Sequence, residues 1–331
     1  MKDLSEVNKV SKHFVWGDIA KGIAILSVII GHTYPSDTPI CKIVFLFHLP
    51  IFFFLAGYFM NFEKYKSDFI GLLKSTFKRI LIPAFFTFLL FYNINFQDIF
   101  TLLYASGVPV PQTKITPIEY QMWFLFCLIC VRMLLYGYLK FNENFKTNII
   151  LNIFLTSIIS LIGVQIGQLY KLPWSFDIAL VAFYIAYIGY LFKFYNIFDK
   201  IKYPLLLFLI TILSSYIDYK YFGLSMNNRF YSSNPIISVN ISILISVTLI
   251  YICILIEKKQ NFCNKFLAYL GANSLIIMIF HTLTSRGNSY GSIVCVFIRI
   301  IYCIVIIEFF ALIPQLKSIY GAKSIKEFIS K

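Results

Sequence analysis

The sequence predicts an all-α membrane protein, a polytopic bundle of about ten transmembrane helices. Hydrophobic residues fill 59% of the 331 positions and charged residues only 13%, about half of the charged fraction of an ordinary soluble domain. Apolar windows long enough to cross about 30 Å of hydrocarbon recur from one end of the chain to the other. The segments between them are alternately rich and poor in lysine and arginine. Together these observations indicate a chain that crosses a membrane repeatedly.

The predicted spans are joined by short connections, none of which is long enough for a separate soluble domain. They are expected at residues 14–33, 43–60, 80–96, 120–139, 148–169, 174–192, 203–219, 236–256, 264–285 and 292–314. We therefore divide the chain into a cytoplasmic N-terminal segment (1–13), a transmembrane domain (14–314) and a cytoplasmic C-terminal tail (315–331).

The net charge of +14 would suggest a nucleic-acid partner in a soluble protein. Here its distribution indicates membrane topology instead. With the N-terminus inside, twenty of the 29 lysines and arginines fall in inner segments and six in outer ones. This bias follows the positive-inside rule with both termini cytoplasmic. The chain is thus expected in the inner (cytoplasmic) membrane, surrounded by lipid and without nucleic acid.

Lys21 and His32 are ionisable residues within the first apolar stretch, where such groups usually mark a pathway or a reaction site. Eleven residues at about 100° each bring them back to nearly the same helix face, about 16 Å apart along the axis. Asp18 shares that face and is the expected ion partner of Lys21. The alternative interpretation of Lys21 is a side chain that extends to the cytoplasmic headgroups.

Two further histidines are predicted at the outer depth of His32. Alternating topology places His48 about 8 Å below the outer surface and His281 close to the outer end of its span. Polar residues expected at or near that surface are Asp37, Glu119, Asp177, Asp218 and Arg286, and Arg299 is expected about 10 Å below it. These groups predict a polar pocket. Plainer interpretations stay open, because His48 precedes a proline that kinks helices and a membrane histidine is often a helix-to-helix hydrogen bond.

The seven cysteines lie mostly inside apolar segments. Cys127 and Cys130 have redox-motif spacing, but they fall on a predicted membrane helix, so we interpret them as small packing residues. The sequence predicts no metal site.

Five blocks of the sequence resemble those of one known family. The blocks are DIAKGIAILSVIIGH (Lys21, His32), FLFHLPIFFFLAGYF (His48, Pro50, Gly57), FKRILIP (Arg79, Pro83), MWFLFCL (Trp123, Phe124, Leu125) and LGANSLIIMIFH (Gly271, Asn273, Ser274, His281). In this order they resemble acyltransferase family 3, the membrane O-acyltransferases of bacterial surface sugars, and most closely its fucose 4-O-acetylase-like branch. Two positions depart from the family pattern: Lys21 replaces the commoner arginine, and the inner loop lacks the usual Arg-x-x-Arg.

The resemblance implies transfer of an acetyl group from cytoplasmic acetyl-CoA to a sugar hydroxyl. His32 would act as general base or as a covalent acyl relay, with His48 and His281 orienting it, and Lys21 would contact CoA. Lys78 and Arg79 would attract the CoA phosphates, although plain positive-inside topology also explains them. Expected acceptor contacts are Trp123, Asp177, Glu119 and Asn273.

Two other functional classes remain possible on the sequence alone. Ten spans with Lys, Asp and His in the membrane are also compatible with an exporter or flippase of polysaccharide or lipid-linked sugar. A structural partner of glycan synthesis is the third class, and it predicts that all three span histidines are dispensable.

Overall fold

The computed structural model describes residues 14–91, 96–110, 122–145, 148–221, 223–259, 261–282 and 292–329. Within these ranges the chain is helical, and the β-pairing found there is one isolated bridge between Ser225 and Phe230. The helices are α1 (Val15–Gly31), α2 (Pro39–Phe45), α3 (His48–Tyr58), α4 (Phe62–Tyr65), α5 (Phe69–Thr76), α6 (Ile82–Phe91), α7 (Phe96–Tyr104), α8 (Trp123–Phe145), α9 (Ile149–Leu169), α10 (Phe176–Phe194), α11 (Pro204–Tyr221), α12 (Pro235–Ile256), α13 (Phe262–Ala272), α14 (Ser274–Phe280), α15 (Ser292–Leu312), α16 (Pro314–Tyr320) and α17 (Lys326–Ile329). A π-helical turn, Phe77–Leu81, joins α5 to α6.

Six helical segments of the described chain are long and apolar enough to cross a membrane. They are Pro39–Tyr58, Trp123–Glu143, Ile149–Leu169, Pro173–Phe194, Pro235–Ile256 and Ser292–Leu312. A seventh is formed if α13 and α14, which meet at a 66° bend, count as one span. The chain is thus a multi-pass membrane protein, but the expected count of about ten and the side of the termini are not confirmed. One reason for the lower count is that the 17 residues of α1 extend only about 25 Å.

Helix α1 lies at the centre and packs along α13 through backbone contact. A Cβ atom at Gly22 would lie 2.1 Å from the Leu267 carbonyl oxygen, and one at Gly271 would lie 1.8 Å from the Asp18 carbonyl oxygen. Only glycine fits at such distances, and small residues are what allow membrane helices to approach closely. The glycine of the LGANSL block thus has a packing role.

A second close crossing joins α3 to α10. A Cβ at Gly57 would meet the Ala186 carbonyl oxygen at 1.7 Å, and one at Gly189 would meet that of Phe54 at 2.1 Å. Because α3 also packs on α1, the two glycine crossings fix α1, α3, α10 and α13 as one central layer.

The span formed by α2 and α3 is broken at Leu46 and Phe47. Pro50 has no N–H to donate in the first turn of α3, so the helix cannot continue regularly through this point. The Nδ1 atom of His48 donates to the Val44 carbonyl oxygen across the break, at 2.8 Å. His48 therefore braces the kink, as one interpretation of the sequence expected.

The C-terminal segment is docked on the bundle by two polar side chains, the buried Asn273 and the partly buried Glu308. The Asn273 amide donates to the carbonyl oxygens of Tyr269 (2.9 Å) and Lys323 (3.0 Å), and its oxygen accepts from the Lys323 N–H at 2.9 Å. Glu308 accepts hydrogen bonds from the Tyr269 hydroxyl and the Ser324 hydroxyl, at 2.9 and 2.7 Å. These bonds tie the predicted tail to α13 and α15.

Candidate active site

A cavity of about 780 Å³ opens at the C-terminal end of α1. The polar residues that line it are His32, Thr33, Tyr34, Ser36, Asp37, His48, Trp123, Asn227, Asn228, Ser292 and Arg299. Val28, Leu49 and Met278 add apolar side chains to the same lining. The residues come from α1, α3, α8, α14, α15 and two loops, so the site exists only in the folded bundle.

His32 and His281 lie side by side at this end of α1, with ring centroids 5.2 Å apart. His281 is fully buried directly after α14, and its Nδ1 atom is 2.9 Å from the Ile277 carbonyl oxygen. Because a carbonyl only accepts, the proton must be on Nδ1, which leaves Nε2 as an acceptor. That Nε2 atom is buried and has no hydrogen-bond partner within the described chain. His281 therefore holds a lone pair near His32.

His48 is held in the same tautomer by its bond to Val44, so its Nε2 is also an acceptor. The Phe45 ring packs edge-on against the imidazole, with centroids 4.8 Å apart. The side chain is buried and lines the cavity. His48 thus braces the kink through Nδ1 and also contributes to the lining of the cavity.

Arg299 fixes the end of α1 that carries His32. Its Nη1 atom donates to the His32 carbonyl oxygen (2.9 Å) and to the Thr33 hydroxyl oxygen (3.0 Å). The last carbonyls of a helix have no partner within the helix, and a cation there is favoured by the helix dipole. Arg299 is buried on α15, so this contact anchors His32 to a separate helix.

Lys21 lies toward the opposite end of α1 and pairs with Asp18, with an Nζ to Oδ1 distance of 2.5 Å. The Lys21 side chain is 30% exposed and that of Asp18 is 7% exposed. Lys21 is not among the residues that line the cavity. Ile25 and Val28, buried on the intervening turns, separate the two ends of the helix.

Lys78 and Arg79 are exposed on the π-helical turn between α5 and α6. Neither lines the cavity. Their position is compatible both with CoA contact and with plain positive-inside topology, so their role stays a prediction.

The four expected acceptor contacts have different surroundings. Trp123 lines the cavity from the first turn of α8. Asp177 does not line it, and its buried carboxylate pairs with Arg229, Nε to Oδ2, at 2.8 Å. Asn273 is engaged by the C-terminal segment, and Glu119 lies outside the described residues. Of these four, Trp123 alone is brought to the cavity by the described structure.

Sequence reasoning did not single out two residues of the cavity wall, Asn227 and Asn228. Both belong to the loop between α11 and α12 and line the cavity. Nothing in their immediate sequence distinguishes them from any polar outer loop. Arg299 was expected at this depth, but not its bond to His32.

The sequence model of a protein family described as an acyltransferase domain matches residues 14–314. No curated protein and no solved structure matches the chain.

Proposed function

The chain belongs to acyltransferase family 3, and on that basis we propose that it is a membrane O-acyltransferase of the fucose 4-O-acetylase-like branch. It moves an acetyl group from cytoplasmic acetyl-CoA to a hydroxyl of a surface or cell-envelope sugar. It acts in the inner (cytoplasmic) membrane, beside the enzymes that synthesise the glycan.

The observation that carries this proposal is the group of three imidazoles at one polar cavity. His32 and His48 line the cavity, and His281 packs against His32. A sugar hydroxyl is a weak nucleophile near neutral pH, and a positioned imidazole accelerates its attack by taking its proton. A cavity of this size and polarity suits a small polar acceptor.

Acetyl-CoA supplies an acetyl group activated as a thioester. His32 takes the hydroxyl proton as the acceptor oxygen bonds to the acyl carbon, and returns it to the sulfur as the carbon–sulfur bond breaks. A relay through acetylated His32 is the second route, in which the imidazole nitrogen first bonds to the acyl carbon as the carbon–sulfur bond breaks and CoA leaves as the thiolate. The acceptor oxygen then bonds to the acyl carbon, the carbon–nitrogen bond breaks, and the hydroxyl proton passes to the thiolate. Isolation of acetylated His32 from protein mixed with acetyl-CoA alone distinguishes the relay from direct transfer.

The neighbours of His32 support its role as base. Arg299 holds the backbone at His32, which restricts where the imidazole can lie. The His281 ring lies beside it, with centroids 5.2 Å apart, and the buried Nε2 of His281 is an acceptor. An acceptor next to a general base can orient its ring and offset the charge that it gains during proton transfer.

The opposite end of α1 is the proposed donor side. Lys21 is partly exposed there, and Lys78 and Arg79 are exposed cations that attract phosphate groups. Because about 16 Å of helix separates Lys21 from His32, an extended pantetheine arm is needed to bring the thioester to the cavity.

Acetyl transfer by purified protein in detergent tests this function against transport. We expect labelled acetyl from acetyl-CoA to appear on sugar acceptors without any membrane gradient. An exporter would instead leave acetyl-CoA intact in detergent and move glycan only in sealed, energised vesicles, and that result would contradict the proposal.

A further inference from the structure

The loop between α11 and α12 places two carboxamide side chains on the cavity wall. Ser225 and Phe230 exchange backbone hydrogen bonds of 2.8 and 3.1 Å, so the four residues between them form a tight turn. Asn227 and Asn228 are the central residues of that turn, and both line the cavity. The turn therefore brings both residues to the cavity wall, where the Asn228 amide nitrogen also donates to the Ser225 hydroxyl oxygen at 3.0 Å.

Arg229 fixes this turn to the rest of the bundle. Its guanidinium is buried, with Nε 2.8 Å and Nη2 3.4 Å from the two carboxylate oxygens of Asp177 on α10. Its Nη1 donates to the Asn227 carbonyl oxygen at 2.8 Å. A two-point arginine–carboxylate pair sets orientation as well as distance. Asp177, which the sequence suggested as an acceptor contact, thus acts on the cavity through the loop.

Asn227 lies against Trp123 across Gly107. A Cβ at Gly107 would be 2.1 Å from the Asn227 Oδ1 atom and 2.8 Å from Trp123 Cγ. The Oδ1 atom is buried and has no hydrogen-bond partner among the described residues. Buried polar atoms are usually satisfied, so a rotation of this amide toward the cavity would let a ligand supply the missing bond.

Amides beside an indole are suited to one chemical class of ligand. Carboxamides donate to and accept from hydroxyl groups, while the indole packs on an apolar C–H face. A pyranose ring offers both. Asp37 and Arg299, the described lining residues with a fixed charge, have opposite signs, so the lining favours a neutral ring over an anionic one.

We propose that Trp123, Asn227 and Asn228 form the subsite for a neutral pyranose ring of the acceptor, and that the Asp177–Arg229 pair positions it. This inference rests on the proposed function, because the pyranose is an acceptor only if the protein transfers an acetyl group. Binding of the pyranose to this subsite can be measured without any acetyl transfer.

Binding of methyl pyranosides to the purified protein tests the subsite. The chain has three tryptophans, so replacing Trp16 and Trp174 by phenylalanine leaves Trp123 as the only indole reporter. We expect a methyl glucoside, galactoside, mannoside or fucoside to change its fluorescence. Asn227→Ala and Asn228→Ala should each weaken that binding about five- to twentyfold, the effect of losing one hydrogen bond to a ligand. Asn240→Ala is the matched control, because this exposed asparagine bonds Tyr184 and Ile236 on α10 and α12.

A second readout uses the protein with all three tryptophans and labelled acetyl-CoA. The apparent KM for the pyranoside should rise in Asn227→Ala much more than the KM for acetyl-CoA. Binding without acetyl transfer would support the subsite and contradict the proposed function. Absence of pyranoside binding in both readouts, or equal binding by the wild type and both asparagine variants, would overturn the subsite.

Discussion

The two ends of α1 use ionisable residues in opposite ways. At the cavity end, His48 and His281 are buried and held by main-chain carbonyls as neutral acceptors. At the other end, Lys21 is partly exposed and pairs with Asp18 three residues away. Each of the two imidazoles bonds a carbonyl oxygen four residues before it, so both ends of α1 rely on local partners. The ends differ because side chains from several helices meet at the cavity end. On the proposed function, proton transfer belongs to the cavity end and attraction of an anionic donor belongs to the end with Lys21.

The largest expected effect is at the cavity end. His32→Ala should lower the rate of acetyl transfer by about 10²- to 10⁴-fold, the usual contribution of a general base, while the protein stays in the membrane fraction. The rate is measured with labelled acetyl-CoA and purified protein. His13→Ala is the control, since His13 precedes the first predicted span. Equal rates of acetyl transfer in His32→Ala and His13→Ala would contradict the role of the cavity end in proton transfer.

The glycine contact near Lys21 gives the next effect, on stability. Gly271→Ala places a Cβ against the Asp18 carbonyl oxygen and should cost about 1–3 kcal/mol of unfolding free energy through overpacking. Gly137→Ala on α8, where a Cβ meets nothing within 4 Å, should be neutral or stabilising by up to about 1 kcal/mol. Thermal unfolding in detergent measures both. Similar melting temperatures would mean that α1 and α13 do not touch through their backbones.

Variants of Arg299 test the claim that residues from separate helices position His32 at the cavity end. Arg299→Met removes the donor to the His32 carbonyl oxygen, and we expect kcat to fall about tenfold with little change in the KM for acetyl-CoA. Arg299→Lys keeps a donor and a charge and should recover part of the rate. A loss of kcat that tracks only the amount of folded protein, with no recovery by lysine, would argue against a positioning role.

The smallest effect is expected for Lys21. Lys21→Ala should raise the apparent KM for acetyl-CoA about fivefold, because a partly exposed charge contributes about 1 kcal/mol, and leave the KM for the sugar unchanged. Lys42→Ala, an exposed lysine on α2, is the control at the other end of the bundle. Equal changes in both KM values would contradict a donor role for this end.

The sequence predicted those features of the site that depend on helical periodicity and alternating topology. Asp18 and Lys21 are one turn apart, so their pairing follows from the helix itself. His32 and His281 belong to the first and late spans, and alternation placed both near the same surface. The structure brings them to 5.2 Å.

Features that depend on long-range pairing or on helix breaks could not be predicted in this way. Asp177 meets a partner 52 residues away, and no local pattern identifies Arg229 as that partner. Hydropathy windows also do not detect the break before His48 or the bend at Asn273. They therefore count apolar stretches of sequence rather than membrane crossings. Asn227 and Asn228 became candidates only because folding places their turn on the cavity wall.

Mass spectrometry of the surface glycan tests the central claim most directly. A deletion strain should lack an acetyl group that the wild-type gene restores, His13→Ala restores and His32→Ala does not. Acetyl groups that persist in the deletion strain, or that return with His32→Ala, would contradict the assignment of acetyl transfer to the cavity at the end of α1.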